Sequence, residues 1–410
     1  MTEVIVTGGL GFLGLQFAKR ILRGGVAWSP LTKQASKLET LTLVDLRFPE
    51  APLPEEVTSD PRVRVRTGDL AAPGIATELI ESPDVAVVHL ASMVSGDSEA
   101  QPDEAWLANV TAQHSLIHAL REAAPGARFL FTSSTAALGA VGDGAADPDD
   151  ATKLLPQNTY GFHKAVSELM LNDASRRGWV DGRALRLPVV VVRPGAPNAA
   201  LTGAWSSVVR EPLAGRDYAL PLPRELAMPV ASYQVVAEAL ETLLVDVDGG
   251  ALGADRTLML PALSLSNGEL ADAAARLAER RGLGQIGAVT EEVDAHAAAV
   301  VGGMARRVVS DRAVALGLPR DESADAIVEG YAADYLRIWN LLSWFEQRRE
   351  VIHTSVFTRA RLVLPRSSPI AEQHGVDAHP IVRCGFLALQ RAQPFRRSVL
   401  HRFLYRRDDS

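Results

Sequence analysis

Six residues into the chain, the apolar run Val4-Ile5-Val6 gives way to Thr7-Gly8-Gly9-Leu10-Gly11-Phe12-Leu13-Gly14, and a helical pattern opens at once. Little else fits such a start. Glycines let the backbone turn sharply and let a pyrophosphate approach it, and the helix N-terminus then offers free N–H groups and partial positive charge to that anion. Phe12–Arg23 sets Leu13, Phe17 and Ile21 on one helical face and stops at Gly24-Gly25, a C-terminal cap signal. Gly8, Gly11, Phe12, Leu13 and Gly14 are therefore the expected cradle of a dinucleotide. The second strand, Leu41-Thr42-Leu43-Val44, ends in Asp45. A carboxylate there can accept bonds from both adenosine ribose hydroxyls and repel a 2′-phosphate, which favours NAD over NADP. The Gly14-to-Asp45 spacing exceeds the usual ~20 residues, so residues 25–40 read as a surface insertion. Arg47 could instead serve a 2′-phosphate, and a strand-end solubilising charge is the plain alternative for Asp45.

Val63–Val65, Val85–Val88, Arg128–Phe131 and Leu187–Val192 read as further strands, and Trp106–Ala123 and Tyr160–Arg177 as helices. Apolar runs without polar alternation are what a parallel sheet covered on both faces requires. The order predicts an α/β chain: a Rossmann doubly wound parallel sheet with a smaller, mostly helical substrate-binding domain. The expected division is 1–195 for the dinucleotide domain, with a segment near 228–250 returning to it, 196–336 for the substrate region, and 337–410 as a basic extension. With 47% apolar and 22% charged residues the chain can fill a core. It has no apolar run of ~18 residues to span a membrane. Met1-Thr2-Glu3 leaves no room for a signal peptide, and the single cysteine, Cys384, fits a reducing, cytoplasmic setting. The net charge of −7 argues against nucleic acid as a partner. That charge is uneven: residues 337–410 hold 13 arginines, no lysine and six acidic residues, so the first 336 carry −14.

Tyr160-Gly161-Phe162-His163-Lys164 follows the strand-end pair Ser133-Ser134. Tyr160 and Lys164, four apart on a helix, share a face. A phenol with a reference pKa of ~10 is a poor base at neutral pH. An ammonium beside it, with a nicotinamide cation, would bring the phenolate into range, and Ser134 could hold the substrate oxygen in line. Such pairs are common on solvated helix faces; the strand-end serine in a dinucleotide fold makes the catalytic reading the favoured one.

Together with Gly68-Asp69-Leu70, His89-Leu90-Ala91-Ser92, Asn109-Val110-Thr111 and Arg193-Pro194-Gly195, these motifs make residues 3–336 resemble the extended short-chain dehydrogenases/reductases, the NAD-dependent epimerase/dehydratase type. That resemblance implies Ser134, Tyr160 and Lys164 as catalytic triad. It places Asp69 and Leu70 at the adenine, Leu90 and Ala91 along the cleft, Asn109 near the nicotinamide half, and Pro194 and Gly195 against the nicotinamide ring. A narrower resemblance, to D-erythronate dehydrogenases, is carried by Val94–Ala100, Asp181–Pro188, Arg193–Asn198, Arg210-Glu211-Pro212-Leu213, Asp255–Leu258 and Arg312–Leu318. It implies that Tyr160 takes the C2 hydroxyl proton of a four-carbon sugar acid while hydride moves to NAD, giving the 2-oxo acid. Sugar-nucleotide epimerases of the superfamily usually carry a tyrosine where this chain has Leu138.

A sugar-acid substrate needs its carboxylate held by an arginine or by backbone N–H groups. Arg210 is the candidate, with the Ser95-Gly96 loop as backbone donor; a surface helix charge is the equal alternative for Arg210, and Arg193 reads as structural. Two other functions stay open, a nucleotide-sugar epimerase or dehydrogenase and a noncatalytic NAD-binding module. His89 reads as a packed core residue, His163 as facing away from Tyr160, and no histidine spacing suggests a metal. A homodimer through the helices 106–123 and 160–177 is possible in such a superfamily. The tail reads as a dispensable, poorly ordered extension, the alternative being a basic arm for nucleic acid, an acidic partner or a membrane surface.

Overall fold

The computed structural model describes residues 2–139, 146–195 and 201–336. The tail 337–410 with Cys384, and Pro197 and Asn198 of the substrate-half motif, lie outside the described residues. Among the described residues there are thirteen strands: β1 (Thr2–Thr7), β2 (Val26–Ser29), β3 (Gln34–Asp45), β4 (Val63–Thr67), β5 (Val85–His89), β6 (Ala127–Ser134), β7 (Val180–Leu187), β8 (Val189–Val191), β9 (Tyr218–Leu220), β10 (Ala227–Ser232), β11 (Thr257–Met259), β12 (Leu263–Ser266) and β13 (Val289–Glu291). The principal helices are α1 (Phe12–Gly24), α2 (Ala112–Ala123), α3 (Thr159–Arg176), α4 (Ala204–Leu213), α5 (Tyr233–Val245), α6 (Asn267–Arg281) and α7 (Ala324–Tyr331).

Parallel pairing runs β4-β3-β1-β5-β6-β7-β11, with β2 antiparallel on the first residues of β3. This is the expected doubly wound sheet. Its order reverses between β1 and β5, where Thr7 stands opposite His89, and ligands of such sheets bind outside the carboxyl ends of the strands at that switch. β5 is buried along its whole length, as a strand covered on both faces must be. On one face Phe17, Ile21 and Leu22 of α1 pack with Val236, Leu240 and Leu243 of α5. On the other, Leu116, Ile117 and Leu120 of α2 pack with Leu171 and Ala174 of α3. A third core joins α4, α6 and α7 and holds the small sheet β12-β10-β8.

Four sequence expectations change. The insertion 25–40 is a β-hairpin that lengthens β3, which explains the long spacing to Asp45. The single strand expected over Leu187–Val192 is broken at Pro188, which has no N–H to donate to a ladder; β7 lies before it in the main sheet and β8 after it in the small one. The chain also returns to the main sheet more than once after residue 195, through α5, which packs with α1, and through β11, which pairs with β7. β10, within the segment expected to return, stays in the small sheet. The helix expected from Trp106 is a short helix over Pro102–Trp106, one π-helical turn over Leu107–Thr111, and then α2. No helix among the described residues is long and apolar enough to cross a membrane.

Buried arginines explain why β7 escaped notice and how α5 docks. The Arg128 side chain is fully buried with its guanidinium 3.3 Å from the Trp28 ring centre. It donates to the carbonyls of Leu244, Val245 and Val247 at the end of α5, and Arg183 donates to those of Leu243 and Val247. Cations there satisfy carbonyls that a helix C-terminus leaves unpaired and complement its dipole. Asp181 faces both guanidinium groups. Arg128→Met keeps the stem but strips α5 of these donors, and it should cost about 3–5 kcal/mol of stability, measured by chemical denaturation.

Candidate active site

The glycine loop is built by close backbone approach. Gly8 has φ 65°, and a Cβ on it would stand 2.8 Å from the Ala91 nitrogen. A Cβ on Gly14 would stand 2.3 Å from the Gly8 carbonyl, so α1 rests directly on the loop. Gly11 caps α1 with no side chain over the first turn, leaving its N–H groups for an anion. Phe12 and Leu13 are partly buried, and the Phe12 ring meets Tyr233 edge-on with centroids 5.2 Å apart. The Asp45 carboxylate, at the end of β3, accepts from Leu10 N at 3.2 Å and Leu46 N at 2.8 Å. It therefore stands beside the loop with acceptor capacity to spare. Leu90 and Ala91 leave β5 beside Thr7, Asp69 is exposed and Leu70 buried past the end of β4. These residues line one continuous edge, and it fits an NAD.

Across the same edge, β6 ends in Ser134, whose hydroxyl hydrogen-bonds the half-buried Tyr160 phenol. Lys164 is buried and donates to the Thr132 carbonyl at 2.9 Å, with its ammonium 5.3 Å from the Tyr160 ring centre. The three side chains expected to act together thus meet on one strand end and one helix face. Their proton affinities depart from the sequence expectation. Burial pushes the phenol up to about 12 against the pull of Ser134, and burial brings the ammonium down to about 7 against the pull of Glu168. Desolvation disfavours the charged form of each group, so the apoprotein keeps the phenol protonated.

Two expected site residues, Asn109 and Arg210, are committed elsewhere. Asn109 is buried and faces a loop: its Oδ1 accepts from Met93 N at 2.7 Å and from the Ser92 hydroxyl at 3.0 Å, and its Nδ2 donates to the Met93 carbonyl at 3.2 Å. It clamps the segment that carries Ser95, which Glu99 in turn ties to Thr159 N at the start of α3. Arg210 is 3% exposed and committed, to Glu211 at 2.7 Å, Ser207 at 2.9 Å and the Arg193 carbonyl at 2.8 Å. Those bonds use its fork on α4, beside the third core, so neither the carboxylate grip nor the surface charge describes it. Pro194 and Gly195 come after β8, whereas Leu187 is the strand residue that the register sets opposite Ser134. His163 is buried beside Asn109, with Nδ1 3.4 Å from Nδ2, and His89 is buried with Nδ1 2.7 Å from the Thr7 hydroxyl.

Sequence reading missed Gly161. A Cβ there would stand 2.2 Å from the Ala136 carbonyl, so the bare backbone is what lets α3 close on the turn after Ser134. It missed Glu168 as well, although its signal was present, one helical turn past Lys164 on the same face.

Residues 4–226 match the NAD dependent epimerase/dehydratase family. The chain is 39% identical over 334 residues to a D-erythronate dehydrogenase of Cupriavidus necator, covering 81% of this chain and 98% of that protein. It is 33% identical to a D-erythronate dehydrogenase of Haemophilus influenzae, covering 80% and 98%. Among solved structures, a nucleoside-diphosphate-sugar epimerase from Agrobacterium tumefaciens aligns with a TM-score of 0.71 at 30% identity, covering 82% of this chain and 94% of that one.

Gly161→Ala should force α3 and the turn after Ser134 apart, and a misplacement on the order of 1 Å can cost about 10²-fold in rate. The expected outcome is a turnover loss of that order with NAD binding, followed by fluorescence titration, little changed.

Proposed function

The chain belongs to the NAD dependent epimerase/dehydratase family, and on that premise we propose that it oxidises D-erythronate, or a similar short aldonate, at C2 to the 2-oxo acid. The observation that carries the chemistry is the meeting of Ser134, Tyr160 and Lys164 at the edge that also holds the glycine loop and Asp45. The substrate class comes from two dehydrogenase relatives aligned along nearly their whole length.

NAD, when bound, supplies the hydride acceptor and a ring cation. Gly8, Gly11 and Gly14 with the first turn of α1 would hold its pyrophosphate, and Asp45 its adenosine ribose. Ser134 holds the C2 hydroxyl against Tyr160, which takes the hydroxyl proton as the C2 hydrogen leaves with its electron pair; the products are the 2-oxo acid, the reduced cofactor and one proton. Lys164 stabilises the phenolate. The Ser92–Ala100 segment, clamped by Asn109, supplies backbone donors for the carboxylate. In this reading the enzyme works in the cytoplasm.

The sign of the pH effect follows from the pair. The reactive state has one proton fewer than the state in which Tyr160 and Lys164 are both protonated. Oxidation should therefore rise with pH from the acid side toward a plateau above about 7, and the reverse reduction should fall over the same range.

Tyr160→Phe should lower turnover about 10²–10⁴-fold, the usual worth of a positioned base, with NAD binding retained. The assay is NADH absorbance over four-carbon aldonates, ribonate and UDP-sugars. Erythronate turnover absent in the wild type, or undiminished in the variant, overturns the proposal; turnover of a UDP-sugar alone points to the epimerase-like alternative.

A further inference from the structure

The face of α3 that carries Tyr160 and Lys164 continues for one more turn to Glu168, which is 2% exposed. Arg186 of β7, 3% exposed, grips its carboxylate with both arms of the fork: Nε lies 3.0 Å from Oε1 and Nη2 2.8 Å from Oε2. The Ser133 hydroxyl donates to the same Oε1. The remaining nitrogen of Arg186 donates to the Asp150 carbonyl at 3.1 Å, in the segment that leads to α3. A buried ion pair of this kind is often no more stabilising than apolar residues of the same volume. The reaction as proposed makes no use of it, yet it lies directly behind the reacting groups.

The charges that face Lys164 can be named from each element around it. On α3 they are Tyr160, His163 and Glu168, and on β5 His89; Arg186 of β7 stands on the far side of Glu168, with Asp150 beside it. Burial lowers the proton affinity of both histidines, His89 down to about 3, which leaves them uncharged at neutral pH. The fixed charge that acts on the ammonium is therefore Glu168, and Arg186 is the charge that grips Glu168.

We propose that Glu168 and Arg186 form a positioning pair that sets how firmly Lys164 holds its proton, and through Lys164 how much of the reacting pair stands as phenolate and ammonium. The inference rests on Tyr160 being the base. Glu168 stabilises the ammonium and Arg186 opposes it. Neutralising Glu168 removes the attraction and bares the Arg186 charge, so the pair loses its proton at lower pH and the phenolate–ammonium form becomes scarcer. Neutralising Arg186 acts in the opposite sense.

The test is the pH profile of kcat/KM for NAD-dependent oxidation by the full chain, in the wild type, Glu168→Gln, Arg186→Gln and the double variant Glu168→Gln/Arg186→Met. The midpoint of the acid limb should rise in the order Glu168→Gln, double variant, wild type, Arg186→Gln, with steps of about half a unit to one unit for charges at this range in a partly screened interior. The plateau rate of Glu168→Gln should fall about tenfold. If Arg186→Gln does not fold, the first three members carry the order. Rates that fall with unmoved midpoints, or midpoints that all move one way, overturn the proposal and leave the pair a structural one. Tyr160→Phe separates the two readings: if it keeps its rate, the base assignment fails and this inference with it, whereas if it is inactive and the order is absent, this inference alone fails.

Discussion

Both halves of the site depend on one constraint, the contact of backbone with backbone where no side chain intervenes. α1 lies on the glycine loop and the loop lies on the end of β5, because Gly14 and Gly8 have nothing to interpose. On the far side of the switch, α3 lies on the turn after Ser134 through Gly161. These contacts bring two helices within a few ångströms of the carboxyl edge of the sheet. That proximity is what lets first-turn N–H groups, a strand-end hydroxyl and a helix-borne phenol share one edge. Packing of larger side chains could hold the same helices, but only further away.

The price of this arrangement is charge buried in the sheet. Arg128, Arg183 and Arg186 come from two adjacent strands and each is almost wholly removed from water. Each is tolerated because its donors find fixed acceptors: two close the end of α5, and one grips Glu168. The same residues tie together parts of the chain far apart in sequence, since α5 belongs to the stretch after residue 195 while β6 and β7 precede it.

How much of this was legible in the sequence follows the same physics. The strands β1, β4, β5 and β6, the helix α1 and the glycine loop announce themselves through local pattern, because apolar runs and glycine turns have local causes. Ser134, Tyr160 and Lys164 were legible through spacing on one helix and position at a strand end. β7 was not, since Arg183 and Arg186 read as exposure and only the tertiary acceptors make them core. Arg210 misled in the opposite direction: a guanidinium in a helix looks available until Ser207, Glu211 and the Arg193 carbonyl are seen to claim it. Asn109 looked like a cofactor contact, but its acceptor and donor both face the Met93 backbone. Motif position predicts which edge a residue belongs to, and hydrogen-bond saturation decides what it has left to give.

The proton affinities give the site its conditional character. Burial holds the phenol near 12 and the ammonium near 7, so the apoprotein stores neither a ready phenolate nor a firmly held cation. Both groups are poised by the same desolvation, in opposite directions. A positive charge brought to the carboxyl edge favours the phenolate and further disfavours the ammonium, and the proton balance of the pair then shifts at the moment the hydride acceptor is in place. A solvated tyrosine–lysine pair, each near its reference value, would respond far less, because water would screen the arriving charge. The burial that keeps the Tyr160 phenol protonated also leaves its proton affinity open to a charge that reaches the same edge.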